Sequence, residues 1–339
     1  MSTDKDFLTY NQQMRKLRDK KNIACEGSKD KNILVRMGYF NLVNGYKTPF
    51  VCGIDSKTGE HIYLPNTSID HFFGLKTFDD TLRMLLLKYI TQVEEEVRTL
   101  TGYKFDQCNS NGKIPWFHTD AYAQSSTMQS KMSAISSAYD ELSKSKLEYV
   151  KFYMDNHTSI PTWIMIKVVN FSTFIDILRN SKKTVTHSMC ELYDMVDANG
   201  NCEVKLLIGS LHWLRKVRNA CAHNERIYCI KQKQQDRIKT GRILEKYFRS
   251  MRATYSRESD KRIMDLLVYM KYFLPDKEFK QLISELQEML LALKKSVTLN
   301  AFDNIRGQMG IKNLNDLEEL KSFPKKEIKY NKFDTFNIK

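Results

Sequence analysis

Leu82, Leu85, Leu86, Tyr89, Ile90 and Val93 fall three and four residues apart, and the same spacing recurs in Leu207, Leu211, Leu214, Val217 and Cys221. This recurrence lays apolar side chains along one stripe of a helix, which must be buried against another element. The pattern predicts a helix from an N-cap at Thr77 to about residue 100, and a second carrying 207–221. Shorter or weaker stripes predict helices over 7–20, 31–43, 131–156, 163–179, 186–196, 233–251, 257–272 and 276–295, with Pro161 in the first turn of the fourth. Strand character is confined to 50–54 and 61–64, which flank Asp55-Ser56-Lys57-Thr58-Gly59-Glu60 and read as a short hairpin. Cys25-Glu26-Gly27-Ser28, residues 101–127 and Ala198-Asn199-Gly200-Asn201 are loops. In the second of these loops Trp116, Phe117, His118 and Tyr122 are expected to tuck under the domain rather than stack on a base. Beyond about residue 321 the chain is Lys-rich without an apolar stripe and is expected to order only on a partner. The predicted fold class is all-α: a multi-helix bundle over 76–320, preceded by a helical segment with a hairpin over 1–75 and followed by a basic tail over 321–339.

Charge narrows the choice of partner. The 339 residues carry a formal net charge of +14, which points to an anion, and nucleic acid is the commonest for a basic chain. Residues 226–262 hold 12 Lys and Arg against 4 Asp and Glu, over half of the excess. Arg237, Arg242, Lys246, Arg249, Arg252, Arg257 and Arg262 would line a basic face, with Tyr228, Tyr247, Phe248 and Tyr255 interleaved. Lys and Arg can track a phosphate backbone while aromatic rings stack on unpaired bases, so RNA is the expected partner. Nothing marks a DNA recognition helix. The seven cysteines are odd in number and form no Cys-x-x-Cys pair, so neither a disulfide framework nor a zinc site is expected, and Cys221, His223, Cys229 and His212 match no common ligand spacing. No metal or cofactor is expected. The polar first 18 residues and the lack of 18 consecutive apolar residues predict a cytoplasmic protein that uses no membrane.

The sharpest chemical signal is Arg218-Asn219-Ala220-Cys221-Ala222-His223. A guanidinium can hold a phosphate through paired hydrogen bonds, and an imidazole can give or take a proton near neutrality. Arg followed five positions later by His is common by chance; Asn directly after the Arg makes the match far rarer. On a helix the two side chains lie about 140° apart, so they do not stack as an i, i+4 pair would. Two copies meeting about a twofold axis would bring both pairs together, and a homodimer is therefore expected. The bland alternative has Arg218 and Asn219 bracing a helix end beside an ordinary surface histidine.

The run from Val217 to Tyr228 resembles the motif of HEPN-type ribonucleases and, more narrowly, the Abi-like abortive-infection proteins of bacteria, the AbiD and AbiF group. Three further stretches resemble that family in the same order: Gly38 to Tyr46; Thr77 to Arg83 with Val93 to Arg98; and Pro161-Thr162-Trp163. The resemblance implies a HEPN-like helical bundle, a homodimer with a composite metal-independent endoribonuclease site, and a role in phage defence or toxin–antitoxin control. For part of the group it also implies a small structured RNA as partner. Catalysis would fall to Arg218, Asn219 and His223, with Asn224 and Arg226 among the RNA-binding residues. The competing reading is a non-catalytic RNA-binding module in which the same motif only grips RNA.

Overall fold

In the computed structural model, residues 7–233 and 260–333 are described. Thr9 and Gln12 cap each other at the start of α1 (Tyr10–Arg15), which relaxes into a π-helical turn over Lys16–Lys20. The next helix, α2 (Gly27–Met37), begins four residues earlier than the pattern predicts and stops at Gly38, whose φ of 74° suits glycine. A second π-helical turn, Phe40–Asn44, leads to the hairpin of β1 (Val51–Ile54) and β2 (His61–Tyr63), with Val51 opposite Tyr63 and Ile54 opposite His61, as expected.

The central helix, α3 (Ile69–Cys108), starts at Ser68 and not at Thr77. His71 Nδ1 accepts the Ser68 N–H at 3.2 Å, and the apolar stripe extends upstream through the fully buried Ile69, Phe72 and Leu75. Thr77 lies inside the helix, where its carbonyl accepts the Thr81 hydroxyl. Forty residues make α3 about 60 Å long. It ends where Ser110, Asn111 and Gly112 all take positive φ.

Two single helices of the pattern are each broken in two. Ser143-Lys144-Ser145-Lys146 offers no apolar anchor, and α4 (Met128–Ser143) gives way there to α5 (Glu148–Asn156). Asn170 Oδ1 accepts the N–H groups of Ser172 and Thr173, starting α7 (Phe171–Asn180) afresh after α6 (Thr162–Val168). Pro161 sits at the N-cap of α6 rather than in its first turn. Next come α8 (Lys183–Leu192) and α9 (Val204–Ala222), the motif helix. The helix predicted over 233–251 falls almost wholly outside the described residues. After the short antiparallel pair β3 (Gln232–Lys233) and β4 (Asp260–Lys261) come α10 (Ile263–Phe273), α11 (Asp276–Ser296), α12 (Leu299–Gln308) and α13 (Asn315–Ser322).

The fold is all-α, as the periodicity requires, with α3 packed against α6, α8, α9 and α11. One apolar core runs from Met14 to Phe333. Trp116 and Tyr122 are buried in it as expected and Phe117 packs against it, whereas His118 is exposed; Trp116 donates to the Ile160 carbonyl at 2.7 Å. Residues 323–333 correct the sequence reading: they pack on the bundle. Ile328 and Phe333 are buried, Lys325 donates to the Tyr272 carbonyl, and Tyr330 donates to Glu96. A stripe was the wrong signal for a largely irregular strap anchored at separate points. Among the described residues no helix is long and apolar enough to cross a membrane.

Candidate active site

Leu207, Leu211, Leu214, Val217 and Cys221 are all buried on the inner face of α9, as their spacing predicts. Each buried leucine contributes about 1.5–3 kcal/mol, which fixes the rotation of the helix and therefore the side of the molecule on which its polar residues lie. Arg218 sits at the flank of that stripe, half-buried, and Asn219 beside it. His223 is the exposed C-cap. Its N–H bonds the Asn219 carbonyl at 2.9 Å, while Asn224 and Glu225 close back onto the Cys221 and Ala220 carbonyls at 3.3 and 2.9 Å. This is a Schellman ending, and Asn224 supplies its left-handed residue with a φ of 57°.

Arg218 is oriented from below by a buried charge cluster. Its Nε lies 3.4 Å from Glu94 Oε2, and its NH1 donates to Asn219 Oδ1 at 3.3 Å. Glu94 Oε1 in turn accepts from Nε and NH2 of Arg98 at 3.1 and 2.7 Å. Arg98 NH1 reaches the Ile166 and Val169 carbonyls at the end of α6, at 2.7 and 2.8 Å. The break between α6 and α7 thus leaves free carbonyls that a buried guanidinium occupies. Burial pushes the Arg98 guanidinium down, Glu94 holds it up, and the Arg218 charge pushes it further down. One carboxylate therefore sits between two cations, and Arg218, the outer one, retains donors for an anion.

A second buried hub fixes the chain after the motif. Asp79 is fully buried; Oδ1 accepts the N–H groups of Ile227 and Tyr228 at 3.2 and 2.8 Å, and Oδ2 accepts from the Tyr46 hydroxyl and Arg83 NH1, both at 3.0 Å. Arg83 NH1 also donates to the Glu225 carbonyl at 3.1 Å, and Arg83 NH2 pairs with Asp80. Burial raises the Asp79 carboxyl, an effect opposed first by the Tyr228 N–H and then by Arg83. Arg226, exposed, donates to the Gly45 carbonyl. Cys221, between the motif's polar residues, has its thiol pushed up to about 12 by burial and stays protonated, so it is no nucleophile.

The three further stretches singled out in the sequence thus meet around the motif: Gly45 and Tyr46; Asp79 and Arg83 with Glu94 and Arg98; and, through Arg98, the α6 carbonyls that follow Pro161-Thr162-Trp163. A family described as Abi-like protein matches residues 32–229. The chain belongs to this Abi-like family. Membership points to abortive infection, a form of phage defence. The matched span runs from α2 to the loop just after the motif, and so takes in every residue named above as bracing Arg218 and that loop. Among curated proteins and among solved structures, nothing matches the chain.

Several expectations for the RNA-binding face change. Tyr228 cannot stack on a base: it is fully buried, its ring 5.9 Å from that of Tyr46. Arg262 caps α10 and braces α12, its N–H bonding Asp265 and its NH1 the Gln308 carbonyl at 3.1 Å. Arg237, Arg242, Lys246, Arg249, Arg252 and Arg257, with Tyr247, Phe248 and Tyr255, lie outside the described residues. Cys221, His223, Cys229 and His212 do not form a ligand group; among the described residues no cluster of three or more His, Cys, Asp or Glu is placed to hold a metal ion. Glu94, Arg98, Asp79 and Arg83 received no role from the sequence, although each carboxylate stands four residues before its arginine, a spacing that pairs them on one helix face.

Proposed function

We propose that this chain is a HEPN-type endoribonuclease that acts in abortive infection and cuts RNA at a site shared by two copies of the chain. In this reading the ribose 2′-hydroxyl attacks the adjacent phosphorus, the P–O5′ bond breaks, and a 2′,3′-cyclic phosphate and a 5′-hydroxyl result, with no metal required. His223 transfers the proton, Arg218 binds the phosphate and its developing charge, and Asn219 orients the guanidinium. The observation that carries the reading is the Arg218–Glu94–Arg98 cluster: three elements hold one half-exposed guanidinium on the helix whose C-cap is an exposed histidine. A histidine free to meet solvent at a capped helix end can also meet a second copy, which a twofold axis through this region would supply.

The test is product chemistry. RNA incubated with the full chain and a chelator is expected to yield fragments ending in 2′,3′-cyclic phosphate and 5′-hydroxyl, from a species that sediments as a dimer. RNA that binds tightly yet keeps its original ends under those conditions would replace the nuclease with an RNA-binding module. Cleavage at full rate by a monomer would overturn the shared site.

A further inference from the structure

Along α9, His212, Arg215, Asn219 and His223 follow one another at spacings of three, four and four, and therefore share one stripe on the side away from the buried leucines. The upstream end of that stripe is unusually cationic. Arg179, from the last turn of α7, contacts His212 Nε2 through its NH2, which requires the imidazole to be the acceptor. The Arg215 Nε is buried and meets no hydrogen-bond partner among the described residues. Lys261 from β4 adds a further cation: the residue is only 6% exposed, and its ammonium lies 5.4 Å from the centre of the Tyr269 ring. Against these cations the cluster offers Asp176, a half-exposed carboxylate 3.5 Å from Arg179 NH1, while Asp265 faces Lys261 from α10. Burial first, and then the charges of Arg179 and Arg215, push the His212 imidazole down; burial pushes the Lys261 ammonium down to about 8. Gathering cations in this way is unfavourable unless an anion joins them, and the buried Arg215 Nε without a partner among the described residues marks where it would sit.

We propose that Arg179, His212, Arg215 and Lys261 form a phosphate subsite that grips the RNA strand about 16 Å along α9 from His223. The inference rests on the nuclease reading for its ligand, and it adds a direction: the strand runs along the outer stripe of α9, from the subsite to the motif. The group recognised is a phosphate. The strand is preferred to a free anion as its source because the subsite and the motif share one face.

The test is binding of a labelled single-stranded RNA oligonucleotide to the full chain across a salt series. The double variant Arg179→Gln/Arg215→Gln is expected to bind several-fold more weakly, with the slope of log affinity against log salt reduced by about 1.4, roughly 0.7 for each lost contact. Lys261→Met keeps the buried stem and is expected to reduce the slope by about 0.7 even if the double variant is poorly folded. Slopes equal to that of the unaltered chain in both variants, or no RNA binding at all, would overturn the subsite. Displacement of the oligonucleotide by inorganic phosphate as effectively as by unlabelled RNA would assign the site to a free anion and overturn the strand. The two readings fail separately: RNA that binds with the expected slopes but stays intact removes the nuclease and leaves the subsite, whereas cutting with unchanged slopes does the reverse.

Discussion

At the scale of single residues, the motif mixes chemistry with backbone geometry. Asn224 resembles a family position and reads as an RNA contact, yet its φ of 57° gives it a sufficient structural reason to be there. Asparagine and glycine tolerate this left-handed conformation, and a β-branched residue does not. Asn224→Gly is therefore expected to leave unfolding free energy unchanged or slightly higher, and Asn224→Val to lower it by about 1–2 kcal/mol, as urea denaturation would read. A valine variant as stable as the original chain would remove the backbone account. A loss of RNA affinity in the glycine variant at unchanged stability would restore a direct contact. Arg226 is tied in the same way, since its bond to the Gly45 carbonyl couples the N-terminal segment to the motif loop.

At the scale of elements, the site is a property of α3 as much as of α9. The Asp79–Arg83 and Glu94–Arg98 pairs are one turn apart, and in an exposed helix such pairs contribute only a few tenths of a kcal/mol. Here both are buried, so breaking one strands a charge. Glu94→Gln keeps the shape but removes the carboxylate charge between Arg98 and Arg218; it is expected to cost about 3–5 kcal/mol in chemical denaturation. A loss below 1 kcal/mol would show that the α6 carbonyls alone satisfy Arg98. The stripes of α9 and α11 were legible in the sequence because one apolar face decides a helix packed on one side. The start of α3 was not, because Thr77 looks like a cap and only the packing of Ile69, Phe72 and Leu75 shows that the helix has already begun. The breaks at 144–147 and at Asn170 were hidden for different reasons: four polar residues without an apolar anchor interrupt the first helix, and the Asn170 cap overrides the periodicity of the second. The motif could be found by residue type and spacing, whereas its braces could not, because the periodicity does not reveal which charged faces of α3 are covered by neighbours.

For the whole molecule, buried lysines set the pH response. Burial pushes Lys325 down to about 7, and Lys271 and Lys261 to about 8. Lys325 is pushed down further by Lys271 and held up by Asp276, Glu96 and Asp194. Above pH 7 the unfolded chain holds protons on these lysines that the folded chain has begun to release, so stability rises with pH. Buried thiols act in the opposite sense: burial pushes Cys25 up to about 11 and Cys221 to about 12, so near pH 9 the unfolded chain loses those protons first, which opposes the rise. Thermal unfolding is expected to show stability rising from pH 7 to about 9, and Lys325→Met to flatten the rise between pH 7 and 8. A rise unaltered in that variant would mean that the strap after α13 does not hold Lys325 in the fold. The nuclease itself is tested most directly by single-turnover cleavage of RNA by His223→Ala at saturating protein. The expected result is a rate lower by about 10²–10⁴-fold with RNA affinity largely retained, because the imidazole moves a proton and the guanidinium holds the phosphate. Cleavage by that variant at the rate of the unaltered chain would contradict the account.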